Sequence, residues 1–104
     1  MKIIVLFNLK ADVSVEAYEA WAKSRDLPVV NSLTSVDDFR VFQFTGLLGS
    51  EAPPPFQYIE VIDVNDGDVF FTEIGTDVMK AVAAEFQEWA DAPLFLTTSE
   101  IVAV

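Results

Sequence analysis

The 104-residue sequence contains no cysteine and no histidine. Without thiols it can form neither a disulfide nor a thiolate nucleophile. Without imidazoles it lacks the usual general base near neutrality, the common zinc sites and a proximal haem ligand. Any catalysis therefore falls to Asp, Glu, Tyr, Lys, Arg or the backbone, or to the substrate's own reactivity in a shaped pocket. Basic residues are scarce: six Lys and Arg stand against 17 Asp and Glu, giving a formal charge of -11 and a pI near 4.1. Such a surface repels phosphate backbones and anionic headgroups, so neither nucleic acid nor membrane is an expected partner. No continuous span of about 20 apolar residues is present. The opening MKIIVLFNL is a short apolar run with no small-residue cleavage site, which reads as a cytoplasmic protein. The four glycines have no phosphate-cradling spacing, and no Ser or Lys sits in a nucleophile signature. The acidic run DVNDGD lacks the later bidentate Glu of a calcium loop and reads as a turn. No metal and no cofactor are expected.

What is present is core material. Hydrophobic residues make up 52% of the chain and nine of them are Phe, enough for one folded domain spanning residues 1–104. Residues 2–9, KIIVLFNL, are apolar at nearly every position and rich in branched side chains, as in a strand covered on both faces. Asp12 or Ser14 can cap a helix with Val15, Tyr18, Trp21 and Ala22 on one stripe, and Pro28 is expected to end it. FRVFQFT at 39–45 and FQYIEVIDV at 56–64 read as strands joined through the Gly- and Pro-rich loop 46–55. Residues 66–73 read as a helical turn before Gly75. Thr76 or Asp77 then caps a helix to Ala90 with Val78, Val82, Phe86 and Trp89 as its buried stripe. Pro93 closes that helix, and LFLTTSEIVAV supplies a fourth strand.

The order βαββαβ predicts an α+β, ferredoxin-like fold with an antiparallel sheet and helices on one face. The other face should then alternate to polar, yet the first strand does not. A second copy is the expected cover, giving a homodimer whose sheets pack into a dimeric α+β barrel. The segments KIIVLFNLK, YEAWAKSRDLP, FRVFQF, FQYIEVIDV and VMKAVAAEFQEWAD together resemble the dimeric α+β barrel superfamily. Within it they resemble the RedY-like, HapK-type proteins found with prodiginine pigment pathways. The resemblance spans the full length and implies membership of a secondary-metabolic pathway. In the related EthD-like branch an aromatic-Trp helix ends in a His and then a Pro. YEAWAKSRDLP is similar to that pattern without the His, with Arg25 or Asp26 loosely in its place.

Charges inside strands are rare unless paired, edge-exposed or functional. Arg40 and Glu60 are two such charges. Period-2 geometry puts Arg40, Phe42 and Phe44 on one face of the second strand and Phe56, Tyr58, Glu60 and Ile62 on one face of the third. Were the hairpin register to bring those faces together, Arg40, Tyr58 and Glu60 would form a catalytic cluster in an aromatic wall. Glu60 would then be the acid or base, Tyr58 a donor and Arg40 an anion stabiliser. Tyr18, Trp21, Phe42 and Asn8 are the candidate ligand-binding residues. The plain alternatives are core packing for Tyr18 and Trp21, a strand end for Asn8, a solvated site beyond the helix for Asp26, and a cross-strand ion pair for Arg40 and Glu60. The functional expectation is a cofactor-independent enzyme or accessory protein acting on a small aromatic or pyrrolic molecule. A carrier that shields a reactive intermediate is the alternative.

Overall fold

The computed structural model describes residues 1–104. Its four strands, β1 (Lys2–Leu9), β2 (Val36–Gln43), β3 (Tyr58–Val64) and β4 (Ala90–Thr97), form one antiparallel sheet in the order β2-β3-β1-β4. Between β1 and β2 lie α1 (Val15–Trp21), a π-helical segment (Ala22–Asp26) and α2 (Leu27–Asn31). Between β3 and β4 lie α3 (Gly67–Glu73) and α4 (Asp77–Trp89). This is the ferredoxin-like plan expected from the alternation of elements.

Each element follows from local chemistry. Ser14 caps α1 by accepting from the Ala17 N–H at 3.1 Å, and Asp66 caps α3 by accepting from the Val69 N–H at 3.1 Å, so the acidic run at 63–68 is a strand end and a helix cap. Pro28 does not end the first helix. Ahead of it the chain widens into π turns, with the Leu27 N–H bonded to the Ala22 carbonyl, and helix resumes through Asn31. The wider turns accommodate a ring that lacks an N–H and would crowd the carbonyl four residues back.

Alternate residues of β1, namely Ile3, Val5, Phe7 and Leu9, are buried under the helices. They pack with Tyr18, Phe39, Tyr58, Val64, Phe70, Met79 and Phe86. Phe7 is the hub: its ring stacks on Tyr58 at 5.4 Å and meets Phe86 and Tyr18 edge-on at 5.0 and 5.7 Å. Burying such a ring contributes about 1.5–3 kcal/mol. The inner stripe of α4 is Met79, Val82 and Phe86. Val78, expected there, is exposed, and Trp89 is only partly covered. The other sheet face, with Ile4, Leu6, Phe42, Ile59, Val61, Leu94 and Leu96, carries no helix. Phe42 is 42% exposed and Leu94 47%.

Strand boundaries differ from the sequence reading in instructive ways. β2 starts at Val36, three residues early, and β3 starts at Tyr58 rather than residue 56. β4 begins directly at Ala90, before Pro93, and ends at Thr97, leaving residues 98–104 irregular and exposed. It tolerates Pro93 through a bulge. Opposite Leu6–Asn8 the β4 register runs from Leu94 to Asp91, with Ala92 at φ 44°. The extra residue needs no ladder bond, so the missing proline N–H costs nothing there.

Candidate functional site

The inner faces of β1 and β3, roofed by α3, α4 and the π segment, enclose an apolar cavity of about 370 Å³. Phe39, Phe70, Phe71, Phe86 and Phe95 supply aromatic walls. Two acidic side chains enter this lining, Glu60 from β3 and Asp26 from the π segment, and each is only 5% exposed.

Glu60 is the one sequence-nominated catalytic residue that lines the cavity. Its neighbour is not the expected one. In the β2–β3 register Glu60 opposes Val41 while Arg40 opposes Val61, so Arg40 points to the opposite face. There it lies 3.8 Å from Asp38 and over the Phe42 ring at 5.0 Å, exposed. The one-residue offset rules out both an Arg40–Tyr58–Glu60 cluster and an Arg40–Glu60 ion pair. Instead the Glu60 carboxyl shares a hydrogen bond with Asp26, and Glu60 Oε2 receives nothing from any N–H or hydroxyl donor. Asp26, expected in solvent beyond a helix end, sits in the helix on the same stripe as Tyr18 and Ala22.

Burial pushes the Glu60 carboxyl well above the carboxylate range, and the charge and hydrogen bond of Asp26 push it further. Asp26 is raised to about 6, chiefly by burial; the hydrogen bond from Glu60 opposes the rise and the charge of Glu85 adds to it. The pair thus resists ionising at both carboxyls together. The Tyr18 hydroxyl, fully buried and without a partner, is raised by burial first and by the charges of Glu60 and Asp26 next. The Tyr18 ring packs the core, and the residue lines a separate, smaller pocket with Glu19 and Tyr58 rather than the Asp26–Glu60 cavity.

The remaining candidates lie elsewhere. Tyr58 packs its ring on Phe7 and donates its hydroxyl to Glu19 at 2.9 Å, away from the cavity. Its ionisation is raised by burial and then by that bond. Trp21 donates its indole N–H to Glu85 Oε1 at 2.8 Å, and Arg25 grips the same carboxylate at 3.1 and 3.0 Å, tying the first helix to α4. Asn8 accepts from the Gln57 N–H at 3.0 Å and fixes the entry to β3. Phe42 belongs to the uncovered face. The signal that would have found Asp26 is its eight-residue offset from Tyr18, which keeps both on one helix face once Pro28 is not taken as a stop. No group of three or more Asp, Glu, His or Cys side chains converges as metal ligands. No helix is long and apolar enough to cross a membrane.

The sheet order and one-sided helices define a ferredoxin-like α+β protein with an acidic pair in an apolar cavity. The family model for the REDY-like protein HapK matches residues 1–101, so the chain belongs to that family. The crystal structure of HapK from Hahella chejuensis is similar to it, with TM-score 0.71 and 25% identity over 100% of each chain. A protein from Arabidopsis thaliana, At3g17210, shares the fold at TM-score 0.81 and 17% identity, over 99% of this chain and 98% of its own. So does a dimeric ferredoxin-like protein of unknown function from Thermobifida fusca, at TM-score 0.71 and 17% identity over 91% and 85%. Curated protein sequences yield no match.

Proposed function

We propose that the protein is a cytoplasmic, cofactor-independent enzyme or accessory protein of secondary metabolism, of the prodiginine type. In this reading it moves a proton on a small aromatic or pyrrolic intermediate held in the cavity of each subunit. The observation that carries the reading is the Asp26–Glu60 pair at the base of an aromatic-walled cavity. A carboxyl whose proton is held near or above neutrality can give that proton to a basic atom of a ligand, while its ionised partner takes one from an acidic C–H or N–H. The aromatic walls supply apolar contact and exclude water, which strengthens each polar interaction at the base.

The test is a metal-free sample mixed with a pathway intermediate and followed by absorbance. Catalytic turnover that survives chelation and falls in Glu60→Gln is the expected result. A spectral shift that stops at one equivalent per subunit would instead make the protein a carrier.

The reading includes a homodimer. The uncovered face carries Ile4, Leu6, Phe42, Ile59, Val61, Leu94 and Leu96 beside the charged Asp38 and Arg40 of β2, and burying it against its own copy gives two sheets about 10 Å apart. The dimeric ferredoxin-like protein from Thermobifida fusca supports this. Light scattering should give twice the 11.5 kDa chain mass. A stable species of the single-chain mass would overturn the dimer.

A further inference from the structure

We propose that the cavity selects an apolar ring compound bearing a positively charged nitrogen, an aromatic ammonium or amidinium, and seats that nitrogen on the Asp26–Glu60 pair. This rests on the acid–base reading above and adds the charge of the ligand to it.

The chain has six Lys and Arg, and none lines the cavity. Lys2 is bonded to Asp63 at 2.9 Å, Arg25 is spent on Glu85, and Arg40 lies on the far sheet face. Lys10, Lys23 and Lys80 are exposed on the surface. Once Asp26 ionises the pair carries a negative charge, and both carboxyls are buried in the cavity lining with no cation of the chain among its residues. Buried ionised groups are otherwise paired or hydrogen-bonded, because leaving them alone is costly. Here Glu60 Oε2 accepts no hydrogen bond from any donor of the chain. A cationic nitrogen supplies both the missing charge and the missing donors. Its ring then meets the aromatic side chains Phe39, Phe70, Phe86 and Phe95, and an aromatic face attracts a cation. An anionic ligand would face the buried charge with nothing to offset it.

The probes are three compounds on one ring, naphthylmethylammonium, naphthylmethanol and naphthoate, titrated calorimetrically into the full chain at pH 7 and two salt concentrations. The ammonium is expected to bind about tenfold or more tightly than the alcohol, with naphthoate weakest, and raised salt should change that order little. In the Asp26→Asn, Glu60→Gln double variant the alcohol should still bind while the ammonium loses its advantage. Glu60→Gln and Asp26→Asn alone serve as checks should the double variant fold poorly, and each should narrow the gap. Equal affinity of ammonium and alcohol would overturn the charge selection while leaving the pocket standing. An ammonium preference that persists in the variants, or vanishes with salt, would assign it to the acidic surface and also overturn the proposal. Binding of none of the three would remove the cavity reading itself and the proposal with it.

Discussion

Two regions of the molecule each hold a glutamate where elements meet. At the end of α3, Glu73 accepts from the Thr34 N–H, the Thr34 hydroxyl and the Ser35 N–H at 2.9–3.0 Å, pinning that helix to the chain entering β2. Hydrogen bonding from Ser35 and Thr34 lowers its carboxyl to about 2 against the opposing effect of desolvation. On β3, Glu60 is offered only another carboxyl and its pKa moves the other way. Glu85 sides with Glu73: Arg25 and then Trp21 hold it below the usual range. Carboxylates that fasten this fold are given donors, whereas those in the cavity are denied them. A group kept without partners in the folded chain is available to something that is not part of it.

The largest expected effect is on function. Glu60→Gln preserves shape and removes the titrating group, so ligand binding or turnover should fall tenfold or more, about 1.4 kcal/mol, as read by calorimetry or initial rates. The melting temperature at neutral pH should be unchanged or higher, since no buried ion pair is broken. Full activity in this variant would break the contrast at its functional end.

Glu73→Gln should do the reverse. It weakens three hydrogen bonds between α3 and the β2 entry, so thermal denaturation at neutral pH should occur at a lower temperature while binding is retained.

The same contrast fixes the pH dependence of stability. A depressed carboxyl contributes stability that is present above its unfolded value and is lost as pH falls, so Glu73 should shape an acid limb running from about 4.5 towards 2. Raised carboxyls hold more protons folded than unfolded. Asp26 and Glu60 should therefore make stability decline as pH rises out of the ordinary carboxylate range, through about 6 for Asp26 and beyond it for Glu60. Denaturant titrations at a series of pH values should show a maximum on the mildly acidic side of neutrality. The alkaline decline should flatten in the Asp26→Asn, Glu60→Gln double variant and the acid limb in Glu73→Gln.

The smallest effect lies outside both regions. Ala92 holds a left-handed φ of 44° in the β4 bulge, so Ala92→Gly should raise stability by about 0.5–1 kcal/mol with no change in binding. Urea unfolding measures it. A loss of stability would mean that the bulge is not strained.

The parts of this fold that were legible were those written in periodicity: the apolar first strand, the hairpin around the proline-rich loop, the long helix α4, though Thr76 donates to the Glu73 carbonyl rather than capping it, and the unpartnered sheet face. What remained hidden depended on distance or register. The face to which Arg40 belongs turns on a one-residue offset between β2 and β3 that no local pattern encodes. Asp26 was concealed by Pro28, whose usual effect is to stop a helix and which here follows π turns that let the helix proceed. Met79 replaces Val78 on the stripe of α4 because the start of the helix sets the phase. Glu60 could be singled out as a charge inside an apolar strand, but the partner that gives it chemistry lay 34 positions away on another element.

The central claim is that Asp26 and Glu60 resist ionising together, with no cation of the chain among the residues of their cavity. The direct measurement is a carbon-13 NMR titration of the side-chain carboxyls in the intact protein. Glu60 should remain protonated far above the ordinary carboxylate range and Asp26 should titrate near 6, with the Glu60 transition shifting downward in Asp26→Asn. Both carboxyls ionising together in the ordinary range, and Glu60 indifferent to Asp26→Asn, would contradict the account.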